Sequence, residues 1–294
     1  MSDSTEDLRR KIDSARELGS VVRTMKALAA ASILQYERAV GSLSDYYHAI
    51  ELGLYVCFSG SVSPQTVPGG ARSSTEPLTT AVVFGSDQGL VGQFNDQLAR
   101  FVLKELDQVA GNKVCWAVGE RIAASLADVG LPANRVYSVP NSVTSITPLV
   151  SQILIEQERT PVKGDVSVFH NRLVRSSYEP VKRRLLPLAA KWYWEFSRIK
   201  WPTKMLPETL GSGEPVILAL TREYLFVSLF KACAESLASE NSCRLAAMQR
   251  AQRNIDELLG QLQMAFNQKR QTAIDEELFD VISGFEVLAT QPNR

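Results

Sequence analysis

The sequence predicts an α/β fold of a particular kind: a long antiparallel coiled coil of N- and C-terminal helices with an inserted Rossmann-like α/β domain. Three observations carry that prediction, namely where the prolines fall, how apolar residues recur at the two ends, and how the pattern changes between them. Of the 13 prolines none precedes Pro64, and none lies between Pro215 and Pro292. Because an interior proline costs a helix about 3 kcal/mol, two long proline-free ends around a proline-rich middle read as two helices flanking a folded insert.

At the N-terminal end Val22, Met25, Ala29, Ser32, Tyr36, Ala39, Leu43, Tyr46, Ile50, Leu54 and Cys57 recur at largely alternating spacings of three and four. That is the seam of a coiled coil. Leu8, Ile12, Ala15 and Leu18 continue it upstream, with Gly19 as a position of close contact. One helix over residues 4–58 would be ~80 Å long. From Val216 to Leu288 only Gly260 and Gly284 interrupt good helix formers, and Ile274, Leu278, Val281, Phe285 and Leu288 repeat at four and three. This helix would reach ~110 Å. Two such seams at opposite chain ends are satisfied by packing antiparallel on each other. The expected organisation is an N-terminal coiled-coil helix over residues 1–58, a Gly/Ser/Pro-rich loop over 59–77, an α/β domain over 78–210 and a C-terminal coiled-coil helix over 211–294.

Within the insert, "TTAVVFG" (79–85), "KVCWAVG" (113–119), "RVYSV" (135–139) and "DVSVFH" (165–170) read as strands. They alternate with helical stretches near 95–109, 119–129 and 147–158, which implies a mostly parallel sheet.

Composition narrows the function. Lys+Arg and Asp+Glu are 32 each, so no overall field draws the chain toward nucleic acid or an anionic membrane. The four cysteines form no CxxC pair, and with two histidines a zinc cluster is not expected. The N-terminus "MSDSTEDLRR" looks like neither a signal nor a transit peptide, and no apolar run is long enough to span a bilayer, so a cytoplasmic chain that meets a membrane only through partners is expected. No serine, cysteine or histidine sits in a recognisable catalytic arrangement, and no cofactor is called for. Residue patterns alone favour a mechanical or scaffolding protein.

Three stretches invite a site. In "VVFGSDQGLVGQFN" the glycines Gly85, Gly89 and Gly92 match neither GxxxxGK[ST] nor GxGxxG, and no lysine is present to meet a phosphate. A strand-to-helix turn is the plainer reading, with Asp87 and Gln88 exposed at its tip as a protein contact. In "KWYWEFSRIKWPTK", Trp192, Trp194 and Trp201 alternate with Lys191, Arg198 and Lys200, a pattern that without a wider basic stripe suits packing or a partner contact better than single-stranded nucleic acid. The basic cluster Arg9, Arg10, Lys11, Arg16, Arg23 and Lys26 is by default a solvated helix face, and it is free to meet an acidic partner.

These residues also carry a family resemblance. "SDQGLVGQFN" resembles the Ser-Asp-Arg-Gly-Leu-Cys-Gly loop of the gamma subunit of F-type ATP synthases. "VVRTMKALAAAS" is similar to that family's N-terminal helix and "VFHNRLVRSSYEPVKRRLLPL" to its central strands. "ESLASENSCRLAAMQRAQRN" and "FNQKRQTAIDEELFDVISG" resemble its C-terminal signature. Order and spacing hold across nearly the whole chain. The resemblance implies a non-catalytic rotor shaft: a coiled coil entering a hexameric head of alpha and beta subunits, with the α/β domain on the membrane c-ring beside the epsilon subunit. It also implies a peripheral place on the cytoplasmic face of a bacterial inner membrane.

By the same resemblance Met25 matches the methionine that faces the catalytic subunit's acidic lever, flanked by Arg23 and Lys26. Arg244 matches the arginine near it that helps couple rotation to catalysis. Arg270, Gln271 and Glu277 match the polar set that engages the head's catch loops, and Trp194 and Glu195 fall where the family meets the ring and epsilon. Asp87 and Gln88 would lie near the contact of rotor and stator. The apolar terminal stretch "LFDVISGFEVLAT" wants burial on more than one face, which a sleeve in the hexamer would supply. Four positions depart from the family: Gln88 for arginine, Val91 for cysteine, Asp275 for threonine and Phe196 for proline. Together they suggest a divergent branch, with the alternate N-type bacterial synthases as the candidate. A nucleotide-using enzyme built on the α/β domain and an unrelated coiled-coil scaffold are the alternatives.

Overall fold

The computed structural model describes residues 4–59, 78–159, 164–175, 177–186, 201, 204–205 and 213–289. In chain order the elements are α1 (Thr5–Ser42), α2 (Ser44–Ser59), β1 (Leu78–Phe84), α3 (Phe94–Asp107), β2 (Asn112–Val118), α4 (Glu120–Asp128), β3 (Arg135–Tyr137), α5 (Ile146–Arg159), β4 (Asp165–Val174), β5 (Ser177–Leu186) and α6 (Gly213–Ala289). The chain divides into two compact units, one of residues 1–28 with 245–294 and one of residues 29–244.

In the first unit, α1 opens with a reciprocal cap. The Asp7 amide donates to Ser4 Oγ at 3.1 Å and the Ser4 amide to Asp7 Oδ2 at 3.3 Å, which satisfies donors that the first helical turn leaves unpaired. Leu8, Ile12 and Ala15 are buried as the periodicity predicts, but the next seam position is Gly19, while Leu18 is 59% exposed. A Cβ added at Gly19 would stand 3.4 Å from Ile255 Cγ2, so the missing side chain lets the two helices approach. Thr5 and Leu8 line a groove with Ala265, Gln268, Thr272 and Ala273, so α1 begins near that level of α6. Beyond it, among the described residues, the predicted seam is uncovered: Ile274, Leu278 and Val281 are exposed, as are Phe279 and Ile282. The expectation that these positions pack on the N-terminal helix is therefore corrected, because α1 starts only at Thr5.

The second unit holds a five-stranded sheet in the order β3-β2-β1-β4-β5, parallel except for β5 at the edge. Strand alternation separates two cores. Ala81, Val83, Cys115, Ala117 and Phe169 face Leu98, Val102 and Leu106 of α3 and Ile122 and Leu126 of α4. Val82, Phe84, Trp116, Val118 and Val168 belong to the other core, with Ile146, Val150 and Ile153 of α5. Leu229, Cys233, Leu237 and Ala238 of α6 and Tyr36 of α1 complete that core, so the helices are an outer layer of the domain itself. Each large apolar side chain fully buried there contributes about 1.5–3 kcal/mol. β5 was missed by the strand pattern, since Pro180 and the charged run "VKRR" break its alternation. An edge strand tolerates both.

The expected single N-terminal helix is interrupted at Leu43. One seam position changes beside it, while Leu43, Ile50 and Leu54 keep theirs. Tyr47 rather than Tyr46 packs inward, its ring 5.7 Å from that of Tyr224, while Tyr46 is exposed and its hydroxyl donates to Glu223 Oε2 at 2.7 Å. Ile50 and Leu54 then cluster with Tyr224 and Val227.

Candidate functional site

The loop after β1 is built around its own first and last polar residues. The Ser86 amide donates to Asn95 Oδ1 at 3.1 Å, and Asn95 Nδ2 donates back to Ser86 Oγ at 2.8 Å, both buried. Of its glycines Gly85 serves close packing, whereas Gly92, at φ +64°, serves the turn. A Cβ at Gly85 would overlap the Ile122 side chain and stand 2.8 Å from Asn95 Oδ1. Gly119, at φ +119°, lies so close to Ser86 that a Cβ would meet its carbonyl oxygen at 2.6 Å. Leu90 is also left-handed, at φ 64°, and 60% exposed, so the loop displays an apolar side chain in a conformation that costs energy.

Asp87 corrects the expectation of an exposed tip. Its Oδ1 accepts from the Glu120 amide and its Oδ2 from the Val139 amide, each at 2.8 Å, so the half-buried carboxylate ties β1 to the start of α4 and to the segment after β3. A carboxylate at the first turn of a helix is favoured by the unpaired amides and the helix dipole there. Gln88 is exposed, and Val91 is 4% exposed, so its side chain belongs to the domain's packing.

At the end of β1 and the middle of β4, α6 is fastened to the sheet by polar contacts. Ser236 Oγ donates to the Phe84 carbonyl at 2.9 Å, and Ser239 Oγ to the Asn171 carbonyl at 3.0 Å. His170 Nε2 lies 2.7 Å from Glu235 Oε2, with the His170 side chain 4% exposed and that of Glu235 18%. Burial pushes the Glu235 carboxyl up, but the hydrogen bond and charge of His170, with Lys231 and Arg183 nearby, outweigh it and hold it below the usual range. One turn on, Arg244 Nη2 donates to Glu240 Oε1 at 2.6 Å and Nη1 to Asn241 Oδ1 at 3.4 Å. Burial drives Glu240 above the usual carboxylate range, Arg244 draws it only part of the way back, and the charge of Asp87 pushes it further up. Glu240 Oε2 and Arg244 Nε are buried without hydrogen-bond partners. This pair holds the Arg244 guanidinium against its own helix.

The other predicted contacts are distributed along the two long helices. Arg23, Arg270, Gln271 and Glu277 are exposed, and Met25 and Lys26 are half-buried. The basic N-terminal face is partly internally paired, Arg10 with Glu6 at 3.8 Å and Arg16 with Asp13 at 3.3 Å. Trp194, Glu195 and Phe196 lie outside the described residues. Sequence reasoning did not single out His170, Glu235, Ser236, Ser239, Asn95 or Glu240. The available signal was the run "ESLASE", in which Glu235 and Ser239 are four residues apart and so share a helix face. Among the described residues no cluster of His, Cys, Asp and Glu could hold a metal ion.

Long helices layered onto a sheet and joined to it by polar contacts make this a helix-and-sheet protein in which α6 forms part of the domain's own core. The chain belongs to the ATP synthase family, whose model matches residues 4–288. Among its relatives are the ATP synthase gamma chains of Polynucleobacter asymbioticus, 25% identical over 96% of this chain and 98% of that one, and of Syntrophus aciditrophicus, 27% identical over 97% and 98%. Two solved structures share the fold. A chain of the Euglena gracilis mitochondrial ATP synthase in an OSCP/F1/c-ring assembly has a TM-score of 0.63 at 14% identity, covering 99% of this chain and 97% of that one. A chain of the Tetrahymena thermophila central stalk and c-ring structure has a TM-score of 0.54 at 19% identity, covering 79% and 99%.

Proposed function

We propose that the chain is the central-stalk rotor shaft of an F-type ATP synthase, itself non-catalytic, which couples ion-driven rotation of a membrane ring to the conformational cycle of a catalytic head. The observation that carries this reading is the match to gamma chains along nearly the whole sequence. The uncovered apolar positions of α6 from Ile274 to Ile282 support it. A helix apolar beyond one face needs a partner to cover it, and an apolar sleeve in the head would cover this one without polar bonds that resist turning. The partners are the alpha and beta subunits of the head, the epsilon subunit and the c-ring. No helix of the described residues is long and apolar enough to cross a membrane, so the chain is a peripheral part of a membrane-bound complex. The cytoplasmic face of a bacterial inner membrane is its place in this reading.

Arg23, Met25 and Lys26 on α1, and Arg270, Gln271 and Glu277 on α6, are then the contacts with the head, with Gln88 from the loop; Arg244, its guanidinium tied to Glu240, enters the reading through that pair. Asp87 enters the same reading through the loop it holds in shape. Trp194 and Glu195 are assigned to the ring and epsilon. The test is co-expression with the alpha and beta subunits of the same genome, followed by sizing and an ATPase assay of wild type and Arg270→Ala. One copy per hexamer, with turnover that depends on the chain and falls in the variant, is expected. A chain that elutes alone and leaves ATPase activity unchanged would refute the shaft.

A further inference from the structure

We infer that the buried His170–Glu235 pair is the rotational key of the shaft, the positioning contact that keeps α6 from turning or sliding against the sheet under load. The inference rests on the shaft reading and adds a residue pair to it. Phe84 and His170 are register partners in β1 and β4, and Asn171 follows His170. The three contacts from Glu235, Ser236 and Ser239 therefore fall together where the β1–β4 ladder ends, at the last residue of β1 and the middle of β4.

The apolar layer beneath them resists separation of helix from sheet, but hydrophobic contact is non-directional and opposes a small rotation only weakly. Hydrogen bonds weaken steeply with misalignment, so they supply the angular restraint. The three are not equal in this. Ser239 Oγ also lies 2.8 Å from the Glu235 carbonyl of its own helix, so its hydroxyl can turn to that acceptor when the helix shifts. Ser236 offers one neutral bond. Rupture of the His170 contact, by contrast, leaves a carboxylate in the interior without its nearest donor, since Lys231 Nζ is 4.0 Å away on the other oxygen. Such a loss is costly in a low-dielectric site. This pair is the last of the three to release.

The test uses the whole complex in sealed vesicles, reading ATP hydrolysis and the ATP-driven membrane potential with a voltage-sensitive dye, which responds whichever cation is moved. His170→Phe keeps an aromatic ring of similar shape and removes the nitrogen; His170→Gln keeps a donor toward Glu235. Expected is a His170→Phe complex whose initial rate of potential build-up per ATP hydrolysed falls about threefold or more, the scale of one lost hydrogen bond, with most of it restored in His170→Gln. An unchanged ratio in His170→Phe, or an equal fall in both variants, overturns the key. If His170→Phe does not assemble, Glu235→Met decides: it keeps a side chain of similar length while removing the acceptor, and an unchanged ratio there overturns the key as well. A wild-type chain that fails to join the head sinks the shaft reading instead, so the two failures are distinguishable.

Discussion

Replacing Asp87 separates a residue that holds the fold from one that meets a partner. Its two carboxylate oxygens each accept one backbone amide at 2.8 Å, from Glu120 and from Val139. A hydrogen bond to a charged group is worth about 1.5–3 kcal/mol net. The Glu120 contact is solvent-exposed and the Val139 contact only partly buried, so water replaces part of each when the carboxylate is removed. Asp87→Ala is therefore expected to destabilise the sheet-bearing unit by about 2–4 kcal/mol rather than by the full sum of two such bonds. Asp87→Asn, nearly identical in shape, keeps one acceptor but turns an amide donor toward the other N–H. Its expected cost is about 1.5–3 kcal/mol. The assay is urea unfolding of the full chain followed by tryptophan fluorescence, since Trp116 on β2 is 3% exposed and reports the sheet. Variants that both unfold within about 0.5 kcal/mol of wild type, the usual range of a surface substitution, would refute the clasp and return Asp87 to the list of free contact residues.

Three further outcomes are expected. Gly85→Ala should destabilise by about 1–3 kcal/mol in the same assay, because its Cβ would enter the space of the Ile122 side chain. Gly19→Ala should be neutral or stabilising by up to about 1 kcal/mol in thermal melts, since its Cβ has room at 3.4 Å from Ile255 Cγ2 and alanine is the better helix former, whereas Gly19→Leu should weaken the helix pair. Glu235 is held below the usual 4.5 in the folded chain, so the stability from its ionisation is full above pH 4.5 and is lost as pH falls through the lower folded value. Glu235→Gln lacks that contribution. Its deficit against wild type in urea unfolding should be largest near neutral pH and should narrow as pH falls below 4.5.

The parts of the fold that were legible in the sequence are those with long, repeated signals. Proline placement and the spacing of Leu8, Ile12, Ala15, Ala29 and Tyr36 identify a helix, and those residues are buried. The alternation in "TTAVVF" and "KVCWAV" identifies strands, and the structure divides each between two cores. Local phase was less legible. Leu18 and Gly19, or Tyr46 and Tyr47, differ by one residue in helical position, and a seam of alternating three- and four-residue steps can take either. Hydrophobicity favours Leu18 over Gly19, but the close approach of Ile255 reverses the choice. That neighbour lies on a helix more than two hundred residues away.

The candidate site divides in the same way. Its location at the loop after β1 and along the two helices could be read from glycine spacing and from family resemblance. The role of Asp87 could not, because its partners Glu120 and Val139 are 33 and 52 residues distant. The sequence by itself determined the kinds of element, their order, the mostly parallel sheet and the family, because periodicity and motif order are properties of one chain segment at a time. Only the tertiary structure decided which face of each element is shared. It set Gly19 on the seam, made Asp87 an internal tie and brought His170 to Glu235. Each of these is a meeting of groups far apart in the chain, and the energy of burying a polar or charged group is fixed by the neighbour that folding delivers to it.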